Sequence, residues 1–141
     1  VEAVIFFNNK HAREFELRRK RAGHLFSKNR YLSAQMLGYL ENDLWLDLAK
    51  SANSSAKNLA ALLSSLSYVK LHHQPDANII FADMPRRMHQ QLLQAGVKYY
   101  LRNGSFEGDL DESLTGRFVC SWSTTGKDIE ELSAVVKKLI Y

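Results

Sequence analysis

One cysteine, Cys120, in a chain of 141 residues leaves no internal disulfide to form and fits a reducing compartment. No apolar run approaches the roughly 20 residues that span a bilayer. The opening apolar stretch has neither a basic lead nor a cleavage site, so it does not read as a signal peptide. A cytoplasmic protein is expected. Internal repeats and low-complexity segments are absent, and so is any phosphate-binding glycine motif. His72 and His73 are adjacent and would point to opposite faces of a strand; His11, His24 and His89 are scattered, so no metal-ligand spacing exists. What is present is ordinary for a globular domain: 45% hydrophobic and 24% charged residues, with a net charge of +4.

Val4-Ile5-Phe6-Phe7 is continuously apolar, a pattern suited to a strand covered on both faces, as in a parallel sheet. Since the chain opens at Val1 rather than Met, the expectation is that it begins inside a larger α/β domain. An N-terminal edge strand is the alternative. Asn8 or Asn9 then caps a helix through His11 to about Arg21, which Gly23 ends. A second helix is expected over 31–40. From Asn42 or Asp43 a third helix runs to about Ser65, with Trp45, Leu48, Ala49, Ala52, Ala56, Leu59, Ala60 and Leu63 along one stripe. At about 1.5 Å per residue it is long enough to bridge two domains.

Beyond it the pattern alternates between short strands and helices. Strands are expected over 68–72, 78–83 and 97–101, with Pro85 opening a helix and Gly96 ending it. Residues 103–116 read as a polar loop. Phe118, Cys120 and Trp122 read as the apolar face of a strand, and Thr125 with Asp128 as a capping box opening a last helix. Helices on one face of short strands make this half an α+β unit.

Few residues carry a chemical signal. Arg18 to Arg21, with Lys28 and Arg30, form a basic cluster that reads as a solvated helix end, a small-anion site or a nucleic-acid contact. The modest net charge and the lack of an aromatic-basic RNA-binding motif weigh against nucleic acid. Arg117 begins the last strand on the face opposite Phe118, beside the polar loop. A guanidinium there can pair bidentately with a carboxylate, or form an ordinary surface ion pair. Cys120 reads as a buried, inert thiol. Asp109, Asp111 and Glu112 read as a solvated acidic loop.

Five stretches, in order, resemble the threonine aldolase family of fold-type-I pyridoxal-phosphate enzymes. They are Glu2-Ala-Val-Ile-Phe-Phe, Arg18-Arg-Lys-Arg-Ala-Gly-His-Leu-Phe-Ser-Lys28, Tyr31-Leu-Ser-Ala-Gln35, Asp43-Leu-Trp-Leu-Asp-Leu-Ala49 and Gly116-Arg-Phe-Val-Cys-Ser-Trp122. The resemblance implies the C-terminal part of such an enzyme. Residues 1–42 would end the large cofactor-binding domain, 43–66 would be a long interdomain helix, and 67–141 a small α+β C-terminal domain. It implies pyridoxal phosphate as cofactor and cleavage of L-threonine or a related β-hydroxy-α-amino acid to glycine and an aldehyde. A homodimer or homotetramer is implied as well.

The family's Schiff-base lysine lies shortly before the strand that opens this chain, and no residue here matches it; Lys10 follows that strand. No catalytic residue is therefore assigned, and without the missing N-terminal half the chain is expected to be inactive. Arg117 matches the family arginine that holds the substrate α-carboxylate. Arg19 and Lys20 match a basic pair near the active site, with Lys20 the stronger candidate for a cofactor or substrate anion. Where many members carry Gly-Gly-Gly-Met-Arg-Gln, this chain has Gly23-His-Leu-Phe-Ser-Lys28, so Lys28 replaces an arginine only approximately. That departure leaves substrate range and stereochemical preference open. Another fold-type-I activity, an aminotransferase or a β-eliminating lyase, is one alternative; a basic nucleic-acid-binding module is the other.

Overall fold

In the computed structural model, residues 3–139 are described and the chain divides into two units, Val1–Trp45 and Leu46–Tyr141. The first unit is helical. Helix α1 (Asn9–Arg21) starts where the Asn8 side chain accepts a hydrogen bond from the Lys10 amide at 3.0 Å. It ends in a Schellman turn: Gly23, at φ +76°, donates to the Lys20 carbonyl, and His24 donates to that of Arg19. Glu14 pairs with Arg18 at 2.9 Å and with Arg21 at 3.6 Å. Helix α2 (Arg30–Leu40) follows, with no buried residue in either helix.

The opening strand does not form. Residues 3–6 have no regular structure; Val4 and Ile5 are exposed, and Phe7 is fully so. A strand needs a neighbour to take its backbone hydrogen bonds, and none of the described residues pairs with this segment. Phe6 lies against Phe15, with ring centroids 5.1 Å apart. Val1 and Glu2, where the first matching stretch begins, lie outside the described residues. A short 3₁₀ turn, Glu41–Asp43, separates α2 from α3 (Leu44–Ser64). Asn42 and Asp43 take φ +52° and +58°, a left-handed pair that Asn and Asp tolerate better than most residues. The third α-helix therefore begins at Leu44 rather than at Asn42 or Asp43.

The second unit is an α+β domain. Strands β1 (Lys70–Leu71), β2 (Ile79–Pro85), β3 (Tyr100–Leu101) and β4 (Ser113–Val119) form one antiparallel sheet in the order β1-β2-β4-β3. Ile80, Ala82 and Met84 of β2 alternate onto the inner face, as do Leu114 and Phe118 of β4. There they meet Ala56, Leu59, Ala60 and Leu63 of α3, Met88 and Leu92 of α4 (Arg86–Gln94), and Val136 of α5 (Gly126–Val136). The expected apolar stripe of α3 is thus buried from Ala52 onward, whereas Trp45 and Ala49 remain exposed.

Local signals place the helices well. Thr125 and Asp128 make a complete capping box at α5. Gly96, at φ +86°, closes α4 by the same Schellman pattern, donating to Leu93 while Val97 donates to Leu92. Pro85 closes β2 and precedes α4 instead of opening it. Three strand expectations change. The segments 68–72 and 97–101 shrink to two paired residues each, and the polar stretch to Gly116 becomes strand from Ser113. Its polar residues, Ser113 and Thr115, alternate onto the face opposite Leu114 and Phe118, where Thr115 is buried and Ser113 exposed. Trp122 is 63% exposed, because the strand ends at Val119 and the chain turns where Thr124 donates to the Ser121 carbonyl. Cys120 is buried as expected, and burial raises its thiol pKa.

Candidate functional site

Strand β4 lies between β2 and β3, so Arg117 is in the middle of a strand with a neighbour on each side, not at a strand start. Its register partners are Phe81 and Tyr100. All three point to the open face, since they alternate with the buried Phe118, Ala82 and Leu114. The Arg117 guanidinium carbon lies 5.3 Å from the centroid of the Tyr100 ring, a cation–π contact, and the arginine forms no ion pair with a described residue. An exposed guanidinium without a carboxylate, its base fixed by ladders on both sides, is suited to receive a carboxylate from a ligand.

The backbone under Arg117 is set by what Gly116 lacks. On the inner face, a Cβ at residue 116 would lie 2.9 Å from the Phe118 ring, 3.0 Å from Tyr99 and 3.3 Å from His89. These three rings form one packed group. Tyr99 stacks on Phe118 at 4.2 Å, and its hydroxyl lies 2.8 Å from Nδ1 of His89. His89 Nε2 is 2.9 Å from the Leu114 carbonyl, which has no proton to give, so Nε2–H donates and Nδ1 accepts from Tyr99. Burial of His89 pushes its pKa below the usual histidine value, and burial of the Tyr99 phenol pushes its pKa up.

A second feature of the open face surrounds Asp83. Its Oδ1 accepts from Thr115 Oγ1 at 2.6 Å and lies 2.8 Å from His72 Nε2. Partial burial works to raise the Asp83 pKa, but the Thr115 and His72 hydrogen bonds and the nearby Lys70 charge together hold it below its ordinary value. Arg102, just past β3, takes its place opposite Thr115 by donating its amide to the Thr115 carbonyl at 2.8 Å. Its guanidinium reaches the Phe81 ring, 5.0 Å from the centroid.

The polar loop beside Arg117 runs from Asn103 to Glu112 and is organised by one buried side chain. Arg86, at the start of α4, donates Nε to the Ser105 carbonyl at 3.0 Å, Nη1 to the Asp109 carbonyl, and Nη2 to the Glu112 carboxylate at 2.6 Å. The Arg86 and Arg87 amides donate to the Glu112 and Leu110 carbonyls, so the loop also satisfies the first free N–H groups of α4. Glu112 and Asp109 are therefore joined to this clamp rather than simply solvated.

Of the residues singled out from sequence, Arg19 and Lys20 stand exposed in the last turn of α1, and Lys28 is exposed in the turn before α2. They belong to the first unit, Arg117 to the second. Phe81, Tyr100, Arg102 and the His72–Asp83–Thr115 group were not foreseen. Phe81 and Asp83, like Tyr100 and Arg102, are spaced by two, so each pair shares a strand face; which faces meet depends on register. The described residues do not compose a cofactor site of their own. No lysine is buried, Lys10 is exposed in the first turn of α1, and Arg117 stands on an open sheet face rather than in an enclosed cleft.

No protein-family model matches the chain. Two curated proteins do. One is a low specificity L-threonine aldolase of a Pseudomonas species, 36% identical over 139 residues, 99% of this chain. The other, from Pseudomonas aeruginosa, bears the same name and is 35% identical over 136 residues. The chain is related to the threonine aldolases. It spans 38% and 37% of the length of these two aldolases. Two solved structures also resemble it. One is the cystine C–S lyase C-DES with its product cysteine persulfide, at a TM-score of 0.47 and 19% identity, over 64% of this chain and 23% of that one. The other is SPT with its PLP internal aldimine, at a TM-score of 0.47 and 17% identity, over 58% of this chain and 21% of that one. No described helix is long and apolar enough to cross a membrane.

Proposed function

We propose that this chain is part of a pyridoxal-phosphate-dependent aldolase that cleaves L-threonine or a related β-hydroxy-α-amino acid to glycine and an aldehyde, and that Arg117 binds the substrate α-carboxylate. The reading is carried by Arg117 itself: an unpaired guanidinium on a paired central strand, in a chain 36% identical to a threonine aldolase along nearly all its length. Pyridoxal phosphate, bound by the rest of the aldolase length, would supply the electron sink. Arg117 binds and orients. By fixing the carboxylate it limits rotation about the N–Cα bond, which favours the geometry in which the Cα–Cβ bond can break. Lys20, with Arg19 and Lys28, supplies positive charge for a cofactor or substrate anion. The proposal extends to a homodimer or homotetramer in the cytoplasm.

The test is Arg117→Ala in the complete enzyme. KM for threonine is expected to rise and kcat/KM to fall, by about tenfold or more for a lost charged hydrogen-bond pair, with cofactor absorbance retained. An unchanged kcat/KM would refute the carboxylate assignment.

A further inference from the structure

We infer that Tyr100 is a positioning residue for the proposed reaction: its ring holds the Arg117 guanidinium ready for the substrate carboxylate. The inference rests on the reading of Arg117 as the carboxylate binder and adds what confines that side chain. A long arginine loses rotamer freedom when it clasps a carboxylate, and the loss is smaller if the free protein already restrains it. Its neighbours on the open face are Thr115 and Val119 along β4, and Phe81 and Tyr100 across it. Val119 offers neither a polar group nor a ring. The Thr115 hydroxyl already donates to Asp83 at 2.6 Å, and the Phe81 ring faces Arg102, whose guanidinium carbon is 5.0 Å from its centroid. Tyr100 remains, with its ring centroid 5.3 Å from the Arg117 guanidinium carbon. No ion pair with a described residue competes with this contact.

The ring is fixed from the other side of the sheet. Strand β3 pairs only at Tyr100 with Arg117 and at Leu101 with Gly116, little to hold a side chain in place. The preceding residue supplies the anchor. Tyr99 turns to the inner face, stacks on Phe118 at 4.2 Å and places its hydroxyl 2.8 Å from His89 Nδ1. With Tyr99 held inside, Tyr100 must present its ring outside, beside Arg117. Attraction to the ring face uses the charge of the guanidinium and leaves its in-plane N–H groups for a carboxylate. The contact needs the ring and not the hydroxyl, so phenylalanine should serve as well. Tyr100 is 71% exposed, so a smaller side chain there empties no core.

The experiment compares Tyr100→Leu and Tyr100→Phe in the complete enzyme, each with Arg117 present and with Arg117→Ala. Tyr100→Leu is expected to raise KM for threonine about two- to fivefold, the range of an exposed cation–π contact, with kcat within about twofold. The dissociation constant of glycine, measured by calorimetry, should rise by the same factor. Tyr100→Phe should leave both at the unmodified values. In the Arg117→Ala background, Tyr100→Leu should cost nothing further, because the group it positions is gone. Unchanged KM and glycine affinity in Tyr100→Leu overturn the inference, as does a loss confined to kcat. A loss that Tyr100→Phe shares would assign the effect to the hydroxyl, and an equal loss in both backgrounds would mark a merely structural role; either result also overturns it. Arg117→Ala alone reports on the underlying reading. Unchanged kcat/KM refutes Arg117 as the carboxylate binder, whereas a fall there with a silent Tyr100→Leu removes only the role of Tyr100.

Discussion

Replacing Gly116 with alanine adds one methyl carbon where there is no room for it. The new Cβ would lie 2.9 Å from Phe118 Cε2, 3.0 Å from Tyr99 Cε2 and 3.3 Å from His89 Cε1, whereas carbon atoms are best separated by about 3.5–4.0 Å. None of the three rings is free to withdraw. Phe118 and Tyr99 are stacked, Tyr99 is hydrogen-bonded to His89, and His89 is tied to the Leu114 carbonyl. Relief must therefore come from several groups moving together or from displacement of β4 at Arg117. Overpacking of this kind costs about 1–3 kcal/mol. For a domain of this size, a loss of about 2 kcal/mol lowers the melting temperature by roughly 8–16 °C. Urea denaturation followed by circular dichroism gives the free energy directly. A loss below about 0.5 kcal/mol would refute the reasoning, since that is the scatter expected for an unobstructed surface substitution.

Arg86→Met keeps much of the side-chain volume but strands the Ser105 and Asp109 carbonyls and leaves the half-exposed Glu112 carboxylate to solvent. The expected cost is about 2–3 kcal/mol, with faster amide exchange across 103–112; exchange that matches the unmodified chain would contradict the clamp. Stability should also depend on pH through His89. Burial depresses its folded-state pKa, so as pH falls below the unfolded value of about 6.5 the unfolded chain takes up a proton that the folded chain does not. Stability is full above that value and declines until the folded-state pKa is reached. Denaturation at several pH values between 7 and 4 should show the decline, and His89→Gln should flatten that portion of the curve.

Local chemistry was readable along the chain, and long-range pairing was not. Asn8, Gly23, Gly96 and the Thr125–Asp128 pair act on residues within a few positions of themselves, so the helix ends could be read directly. A strand is defined by a partner elsewhere. Val4 to Phe7 has the composition of a strand but no neighbour to bond among the described residues, whereas Ser113 to Gly116 looks like loop and is strand because β2 pairs along all of it and β3 joins at Gly116. The same limit governs the site. Arg117 could be picked out by type, by alternation and by likeness to the aldolases. The rings and the second arginine beside it come from 36 residues earlier at Phe81 and from across the Arg86-clamped loop at Tyr100 and Arg102, and only the register brings them together.

That clamp has a consequence for how freely the loop can drift. Two of the three groups that Arg86 grasps are main-chain carbonyls, present whatever side chains residues 105 and 109 carry. The segment can exchange most of its residues and still hold its path, as long as Arg86 and the spacing between those carbonyls persist. Gly104 and Gly108 are the exceptions: at φ +70° and +125°, a Cβ would come within 2.7 Å of Leu114 Cδ2 at the first and 2.8 Å of the guanidinium at the second. Among relatives, the loop should vary in its letters far more than in its length.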